Sequence, residues 1–343
     1  MWETGPQESG LAPFARAVVA LDASTLDQLV RKGPHRRTPT GHPSLLPGKL
    51  AAVFDLRRQQ CWKVRLHDDV AENEKIAARQ LVDGLPPGSL ILADLGYFGF
   101  PWFDDLTTQG HFWVTRWRDP TSTVELHRFW GDDQTGESLV WLGAYRANKA
   151  RYAVRLICVQ RGATVHRYLT NVLDAHRLSM ADVVEVYARR WDIELAFKVL
   201  KTDLGLATIW STKWPVIQAQ VWAMLTISQV ATHLRWQLAA AARVDVFDVS
   251  LPLLLQVTPE LVAQGEDPVA VVSQAKYTGG VIRPSRRKRM VCPIPTGWAP
   301  IPEDLVRERE PRYDRKNHQR TTPPSPTPPI LSLAPPYPVL TMN

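Results

Sequence analysis

Tyr187, Arg190, Glu194 and Lys201 are spaced so that a single helix would carry all four along one stripe. At about 100° per residue, steps of three, seven and fourteen return to nearly one direction, so the stripe is roughly 60° wide. Lys198 falls beside it. Apolar residues flank it, with Val184, Trp191, Leu195 and Val199 on one side and Val186, Ile193, Phe197, Leu200 and Leu204 on the other. A separate face carrying Glu185, Arg189, Asp192 and Asp203 reads as the solvent face. A charged stripe between two buried flanks is costly unless it meets ions or an anionic ligand. These four residues therefore read as a site whose chemistry involves charge neutralisation.

The elements that must position such a site can be read from apolar runs. Ala17 to Leu21 reads as a buried strand ending at Asp22, and Ser89 to Ala93 as a second ending at Asp94. Between them, Leu50–Leu56 and Cys61–Leu66 flank a polar turn and predict a hairpin, and Val70–Val82 has helical composition up to Gly84-Leu-Pro-Pro-Gly88. Gly99–Thr108 reads as a short helix and Phe112–Trp117 as a strand. Three strands, a helix, a strand, a helix and a strand give the order of a ribonuclease-H-like mixed α/β sheet flanked by helices. In such sheets ligands gather at strand ends, where Asp22 and Asp94 both lie.

Four further short strands are predicted at Thr123–Trp130, Leu139–Tyr145, Tyr152–Gln160 and Thr164–Asn171. The helix bearing the stripe opens at Ser179, where Ser179 and Asp182 form a capping-box pattern, and closes at Gly205. Val216–Ala242 reads as a helix or helix pair. The expected division is a polar leader at 1–14, a core at 15–117 and 171–205, a β-rich insertion at 118–170 before the last helix of the core, a helical part at 206–275, and a basic, Pro-rich tail at 276–343, mostly extended or disordered. Thr321–Val339 holds eight prolines in nineteen residues, too many for a folded element.

Composition narrows the function classes. The formal charge of +7 favours an anionic partner, though 41 basic residues against 34 acidic ones make the bias moderate. Cys61, Cys158 and Cys292 are far apart, without a Cys-x-x-Cys pair, which argues against a disulfide framework or zinc knuckle and fits a reducing cytoplasm. The longest apolar stretch, Trp214–Ala242, is broken by Gln218, Gln220, Gln229, His233, Arg235 and Gln237, so no membrane span is expected. No Walker-type Gly-x4-Gly-Lys, Gly-x-Gly-x-x-Gly or His-Glu-x-x-His is present.

The pattern Tyr187-x2-Arg190-x3-Glu194-x6-Lys201 resembles the signature helix of the DDE insertion-sequence transposases known as the YREK group. Leu92-Ala93-Asp94-Leu95-Gly96-Tyr97-Phe98 is similar to that family's second motif. Val19-Ala20-Leu21-Asp22-Ala23-Ser24-Thr25 is similar to its first, except that Ala23 stands where Gly is usual. The β-rich insertion also has its counterpart in the family. The resemblance implies a DNA transposase, with Glu194 as third metal-binding carboxylate beside Asp22 and Asp94, and Arg190 and Lys201 on the transposon end.

Phosphoryl transfer to DNA needs attacking and leaving oxygens held in line with charge neutralised on both, which two Mg²⁺ ions about 4 Å apart provide, with Mn²⁺ as substitute. The carboxyl groups of Asp22, Asp94 and Glu194 are expected to converge to roughly 4 to 8 Å. Their separations are 94 − 22 = 72 and 194 − 94 = 100 residues. Asp27 and Asp55 compete with Asp22. His67-Asp68-Asp69, Asp104-Asp105 and Asp132-Asp133 read as solvated groups at element ends or in turns.

Candidate DNA contacts are Tyr187, Arg190, Lys198 and Lys201, with Arg116, Trp117 and Trp130. Tyr187 could bond a phosphate or simply pack. Trp117, Trp130 and Trp141 could stack on an extruded base, as an insertion tryptophan does in some members of the family, or fill a small β-core. The implied partners are transposon-end and target duplex DNA and a second copy on paired ends, with no membrane or ATPase partner, in a prokaryotic, nucleoid-associated setting. Only 21 residues precede Asp22, whereas family members usually carry a DNA-binding region there, so the expectation is a shortened transposase. The rival readings are a non-catalytic DNA-binding remnant and a metal-dependent host nuclease on the same fold.

Overall fold

A computed structural model describes residues 10–26, 36–37, 43–44, 48–67, 74–143, 148–211, 213–274, 280–284, 291–313 and 330–332. Asp27, Asp68, Asp69, most of the basic 31–48 loop, the basic residues 286–289 and most of the Pro-rich tail lie outside these.

The strands are β1 (Val18–Thr25), β2 (Arg36–Arg37), β3 (Pro43–Ser44), β4 (Lys49–Asp55), β5 (Gln60–His67), β6 (Leu90–Ala93), β7 (Phe112–Arg116), β8 (Thr123–Gly131), β9 (Gly136–Leu142), β10 (Val154–Arg161), β11 (Thr164–Thr170) and β12 (Ile330–Ser332). The helices are α1 (Glu74–Val82), α2 (Phe100–Thr108), α3 (Met180–Ala188), α4 (Trp191–Lys198), α5 (Trp214–Ala242), α6 (Leu251–Ala263) and α7 (Pro268–Gln274). Apart from the small β2–β3 ribbon, all strands join one sheet in the order β12-β5-β4-β1-β6-β7-β11-β10-β9-β8.

The middle of that order defines the fold. β4 and β5 form the expected hairpin, β4 runs antiparallel to β1, and β1, β6 and β7 run parallel. A central first strand, with the hairpin on one side and two parallel strands on the other, each reached through a helix, is the ribonuclease-H-like topology. β4 is buried along its whole length and β6 likewise, as expected for strands covered on both faces. Alternate residues feed two cores. Val19, Leu21, Ile91 and Trp113 face α1 and α2, while Val18, Ala20, Leu90, Leu92 and Val114 face α3, α4 and the start of α5.

The four strands of the insertion do not fold apart from this sheet. β11 pairs antiparallel with β7, and β10, β9 and β8 continue the ladder outward. The β8–β9 hairpin turns at Asp132, whose Oδ1 accepts the Gln134 and Thr135 N–H groups, both at 2.8 Å. Gly131 has φ +67°, and a Cβ there would lie 2.2 Å from the Thr135 carbonyl oxygen, so only glycine fits. β8 carries two register irregularities, between Glu125 and His127 and between Arg128 and Trp130.

One fully buried ion pair ties the insertion to the core. Arg155 on β10 pairs with Glu137 on β9, both side chains being inaccessible. Arg155 Nη1 also donates to the Leu178 carbonyl at 2.7 Å, immediately before the Ser179 cap of α3. That cap is a complete capping box with Asp182.

The C-terminal region departs from its expected looseness. Residues 291–313 are extended but packed against the insertion, with Trp298 stacked on Phe129 at 4.6 Å and Arg309 over Trp141 at 4.5 Å. The Tyr313 hydroxyl donates to Asp104, and that carboxylate also accepts the Arg151 and Tyr152 N–H groups. Asp104 is therefore buried and bonded, not solvated. Within the Pro-rich tail, β12 pairs antiparallel with β5, because Ile330-Leu331-Ser332 is a proline-free window long enough for a short ladder.

The helix bearing the stripe also differs from a single rod. It breaks at Arg189–Arg190, where Arg190 and Asp192 N–H groups bond three residues back, to Tyr187 and Arg189. Beyond α4 it widens into a π-helical turn over Val199–Asp203, with the Leu204 N–H bonding five residues back to Val199. Both departures spoil the uniform 100° step. As a result Arg189 and Asp192, expected in solvent, are buried and paired at 2.8 Å, with Asp192 also accepting from Gln59 on the β4–β5 turn. Trp191 and Leu195, expected in an apolar flank, are instead 59% and 52% exposed. The other flank, Val186, Ile193, Phe197 and Leu200, is buried as anticipated.

Candidate functional site

Strand register brings the two aspartates together. Val18 lies opposite Leu90, and Ala20 opposite Leu92, on the parallel pair β1–β6, an offset of 90 − 18 = 72 residues. Asp22 and Asp94 share that offset, 94 − 22 = 72. Continued two residues past the last pair, Ala20 and Leu92, the same register would set Asp94, the first residue past β6 and still extended, level with Asp22. By alternation both continue the row Val18, Ala20, Leu90 and Leu92, which faces α3 and α4. α4 packs against β1 and carries Glu194 near enough to act on Asp22.

β1 does not end at Asp22. It runs on to Thr25, but burial drops from complete to partial at Asp22, the point where the sheet emerges from beneath α4. Asp94 caps the short turn Leu95–Tyr97 by accepting the Gly96 N–H. Burial is the largest influence on the Asp22 carboxyl and pushes it up to about 6. The Ala23 N–H and Arg190 oppose that rise, and Glu194 and Asp94 add to it. Two carboxylates and one guanidinium thus act on Asp22.

Glu194 is held by Arg190, whose Nη2 donates to Glu194 Oε1 at 2.6 Å. Tyr187 is buried, its ring 5.4 Å from Tyr168 and its hydroxyl donating to the Ala93 carbonyl at 3.4 Å. Burial is the main cause that pushes this phenol up to about 12. It therefore braces the end of β6 from beneath. Arg116 is exposed at the end of β7, near enough to act on Tyr187. Lys201 is half-buried within the π-helical turn. Lys198 is exposed and lines a cavity of about 710 Å³ between α4, α5 and α6, which contains none of the three carboxylates.

Asp55, the competitor of Asp22 inside the described residues, is removed by register. It lies opposite Val19 at the end of β4, three residues beyond Ala52, the partner of Asp22, and accepts from the Arg57 and Arg58 N–H groups and from Arg58 Nη1, each at 2.9 Å. Of the tryptophans, Trp117 donates to Asp119 at 2.8 Å and Trp130 to Glu137 at 3.1 Å, both half-buried. Trp141 is buried beneath Arg309 and is not open to a base.

The donor set is all carboxylate oxygen, which suits Mg²⁺ or Mn²⁺. A buried aspartate disfavoured as an anion fits a place meant for a cation. Among the described residues, no three His, Cys, Asp or Glu side chains are gathered closely enough to hold an ion, Glu194 being paired with Arg190. Two features escaped sequence reasoning, the buried Arg189–Asp192–Gln59 cluster and the exposed Trp191 and Leu195 beside the site. Gln59 lies 133 residues from Asp192, and nothing local marks that contact.

The ionised Asp22 has a measurable cost. A carboxyl raised from 3.8 to about 6 on folding loses stability as pH climbs through that window, by roughly 3 kcal/mol once both states are ionised. In chelator, Asp22→Asn should therefore stabilise the fold at pH 8 by about 2 to 3 kcal/mol and change little below pH 4. Urea midpoints at the two pH values check this, and equal shifts at both would contradict it.

The transposase DDE domain family matches residues 13–229, more than half of the chain. The transposase InsG for insertion sequence element IS4 of Escherichia coli (strain K12) is 23% identical over 202 residues, covering 55% of this chain and 45% of that protein. The chain thus spans less than half the length of that relative. A piggyBac transposase synaptic complex with hairpin DNA superposes with a TM-score of 0.40 at 10% identity, over 76% of this chain and 52% of that one. No helix among the described residues is long and apolar enough to cross a membrane. With a matched span that contains β1, β6 and α4, and with them Asp22, Asp94 and Glu194, the chain belongs to the transposase DDE domain family.

Proposed function

We propose that this protein is a DNA transposase of the YREK group, cutting and joining the ends of an insertion sequence with Asp22, Asp94 and Glu194 as its catalytic carboxylates. The observation that supports the reading is the 72-residue register of β1 on β6, a spacing that Asp22 and Asp94 share, on the face against which α4, bearing Glu194, packs. The three carboxylates would hold a pair of Mg²⁺ or Mn²⁺ ions, which when bound would neutralise the scissile phosphate and its attacking and leaving oxygens.

The chain's own residues do the rest. Tyr187, bonded to the Ala93 carbonyl, fixes the end of β6 and so the reach of Asp94. Arg190 and Lys201 supply positive charge to DNA phosphates, Arg190 through a planar fork and Lys201 as a point charge. Arg116 and Lys198, both exposed, extend the basic surface. Trp117 and Trp130 remain candidates for base contact. The partners are duplex DNA at the element's ends and at the target, engaged by a pair of copies, in a nucleoid-associated cytoplasmic protein.

A non-catalytic DNA-binding role is the second reading, favoured by the absence of a closed ligand group among the described residues. Incubation of the purified chain with supercoiled plasmid in Mg²⁺, Mn²⁺ or chelator separates the two. Nicking that requires the metal supports the transposase. Binding that falls steeply with salt, without nicking in either metal, supports the binder.

A further inference from the structure

We infer that Arg190 is an internal counter-cation of the carboxylate site, holding Glu194 in place of a metal until a DNA phosphate draws the guanidinium away. The inference rests on the metal-dependent reading above and deepens it. Its first support is the Arg190 Nη2–Glu194 Oε1 contact of 2.6 Å, in which the arginine side chain is 8% exposed and the glutamate 32%. The guanidinium is therefore the deeper of the two groups.

The second support is what its other donors lack. Arg190 Nε and Nη1 are buried and find no hydrogen-bond acceptor among the described residues. An arginine placed only to anchor a helix would be expected to spend these donors, as Arg155 spends Nε on Glu137 and Nη1 on the Leu178 and Val172 carbonyls. Unspent donors close to Glu194 and Asp22 leave capacity for phosphate oxygens, which the guanidinium recognises well. The third support is electrical. The guanidinium bonded to Glu194 puts one monovalent cation in the field that divalent ions would occupy.

Two like charges cannot share that field at low cost. While Arg190 holds Glu194, an entering divalent ion meets a repelling guanidinium and one carboxylate already engaged. Withdrawal of Arg190 to a phosphate would release Glu194 and lower the repulsion in the same movement. Metal capture and DNA binding would thus be coupled through one side chain, with the site filled late, when the substrate is present.

The experiment is Mn²⁺ binding to the full chain without DNA, monitored by the electron paramagnetic resonance of free Mn²⁺. Arg190→Gln should bind Mn²⁺ about tenfold more tightly than the parent, worth about 1.4 kcal/mol. Arg190→Lys keeps the charge and should stay within about threefold of the parent. Adding a short duplex should tighten Mn²⁺ binding to the parent more than to Arg190→Gln. If Arg190 only positioned Glu194, Arg190→Gln would bind Mn²⁺ equally or more weakly, and that result overturns the inference. So does an Arg190→Lys protein that binds as tightly as Arg190→Gln, a comparison that stands even if one variant folds poorly by circular dichroism. Asp94→Asn tells the two possible failures apart. Loss of Mn²⁺ binding in Asp94→Asn with no tightening in Arg190→Gln sinks the counter-cation alone. No Mn²⁺ binding by any variant, with or without duplex, sinks the metal reading with it.

Discussion

Asp94→Asn should lower metal-dependent nicking of duplex DNA by at least about 10³-fold while leaving duplex affinity within about threefold. The rate follows from the role proposed for this carboxylate. A metal ion stabilises developing phosphoryl charge by several kcal/mol, and about 4 kcal/mol corresponds to a thousandfold. Asparagine keeps the size and one acceptor oxygen, so the cap on the Gly96 N–H survives and the Leu95–Tyr97 turn should keep its shape. What is lost is the negative charge that captures the ion. Affinity for duplex depends on basic phosphate contacts, which the substitution does not touch. Plasmid nicking and fluorescence anisotropy at one salt concentration measure the two quantities. Nicking by Asp94→Asn at the parental rate would remove Asp94 from the site.

The second large effect is on stability. Arg155→Met should destabilise the fold by about 3 to 5 kcal/mol, because it strands the fully buried Glu137 carboxylate without a partner. Three attachments fail together. The β9–β10 pair loses its charge balance, the Trp130 indole keeps only an uncompensated acceptor, and the Leu178 and Val172 carbonyls lose their donor. Replacing both partners, as Arg155→Met with Glu137→Met, should recover about half of the loss, since a buried ion pair is often matched by well-packed apolar groups. The orphaned carbonyls keep the recovery incomplete. Urea unfolding of the two single variants and the double variant gives the cycle. A single-variant loss below about 1 kcal/mol would show the pair to be accessible to water, contrary to its burial.

The part of the site on the sheet was legible because local pattern and chain order both determine it. Apolar runs ending in Asp22 and Asp94 imply two neighbouring parallel strands, and the topology then leaves little freedom in where the aspartates stand. The part on the helix was legible only in outline. The Tyr-Arg-Glu-Lys spacing placed Arg190 and Glu194 one turn apart, which their ion pair reflects. Extrapolation at a constant 100° failed at Arg189, because the tightened turn there rotates all of α4 and lets Arg189 and Asp192 reach Gln59. Such a break depends on a partner supplied by a distant hairpin. The packing of 291–313 was hidden for a similar reason, since its prolines argue against regular structure but say nothing about Trp298 stacking on Phe129.

The two margins of the ten-stranded sheet face the same hazard and meet it differently. An outermost strand offers a row of unsatisfied peptide groups to any other extended chain. On the β5 side that row is engaged by β12, so the polypeptide supplies its own pairing partner from its far end. On the β8 side no strand is paired further out among the described residues, and protection comes from the Ala299 N–H, which donates to the Phe129 carbonyl at 2.8 Å, together with shape and charge. The two irregularities in β8 kink the ladder a stranger would have to match, and Arg128, bound between Glu125 and Asp133, sets alternating charges along the rim. A strongly twisted, charged rim is a poor template for fibre growth or accidental dimers. Copies of this protein brought together at high local concentration are thereby kept from sticking strand to strand.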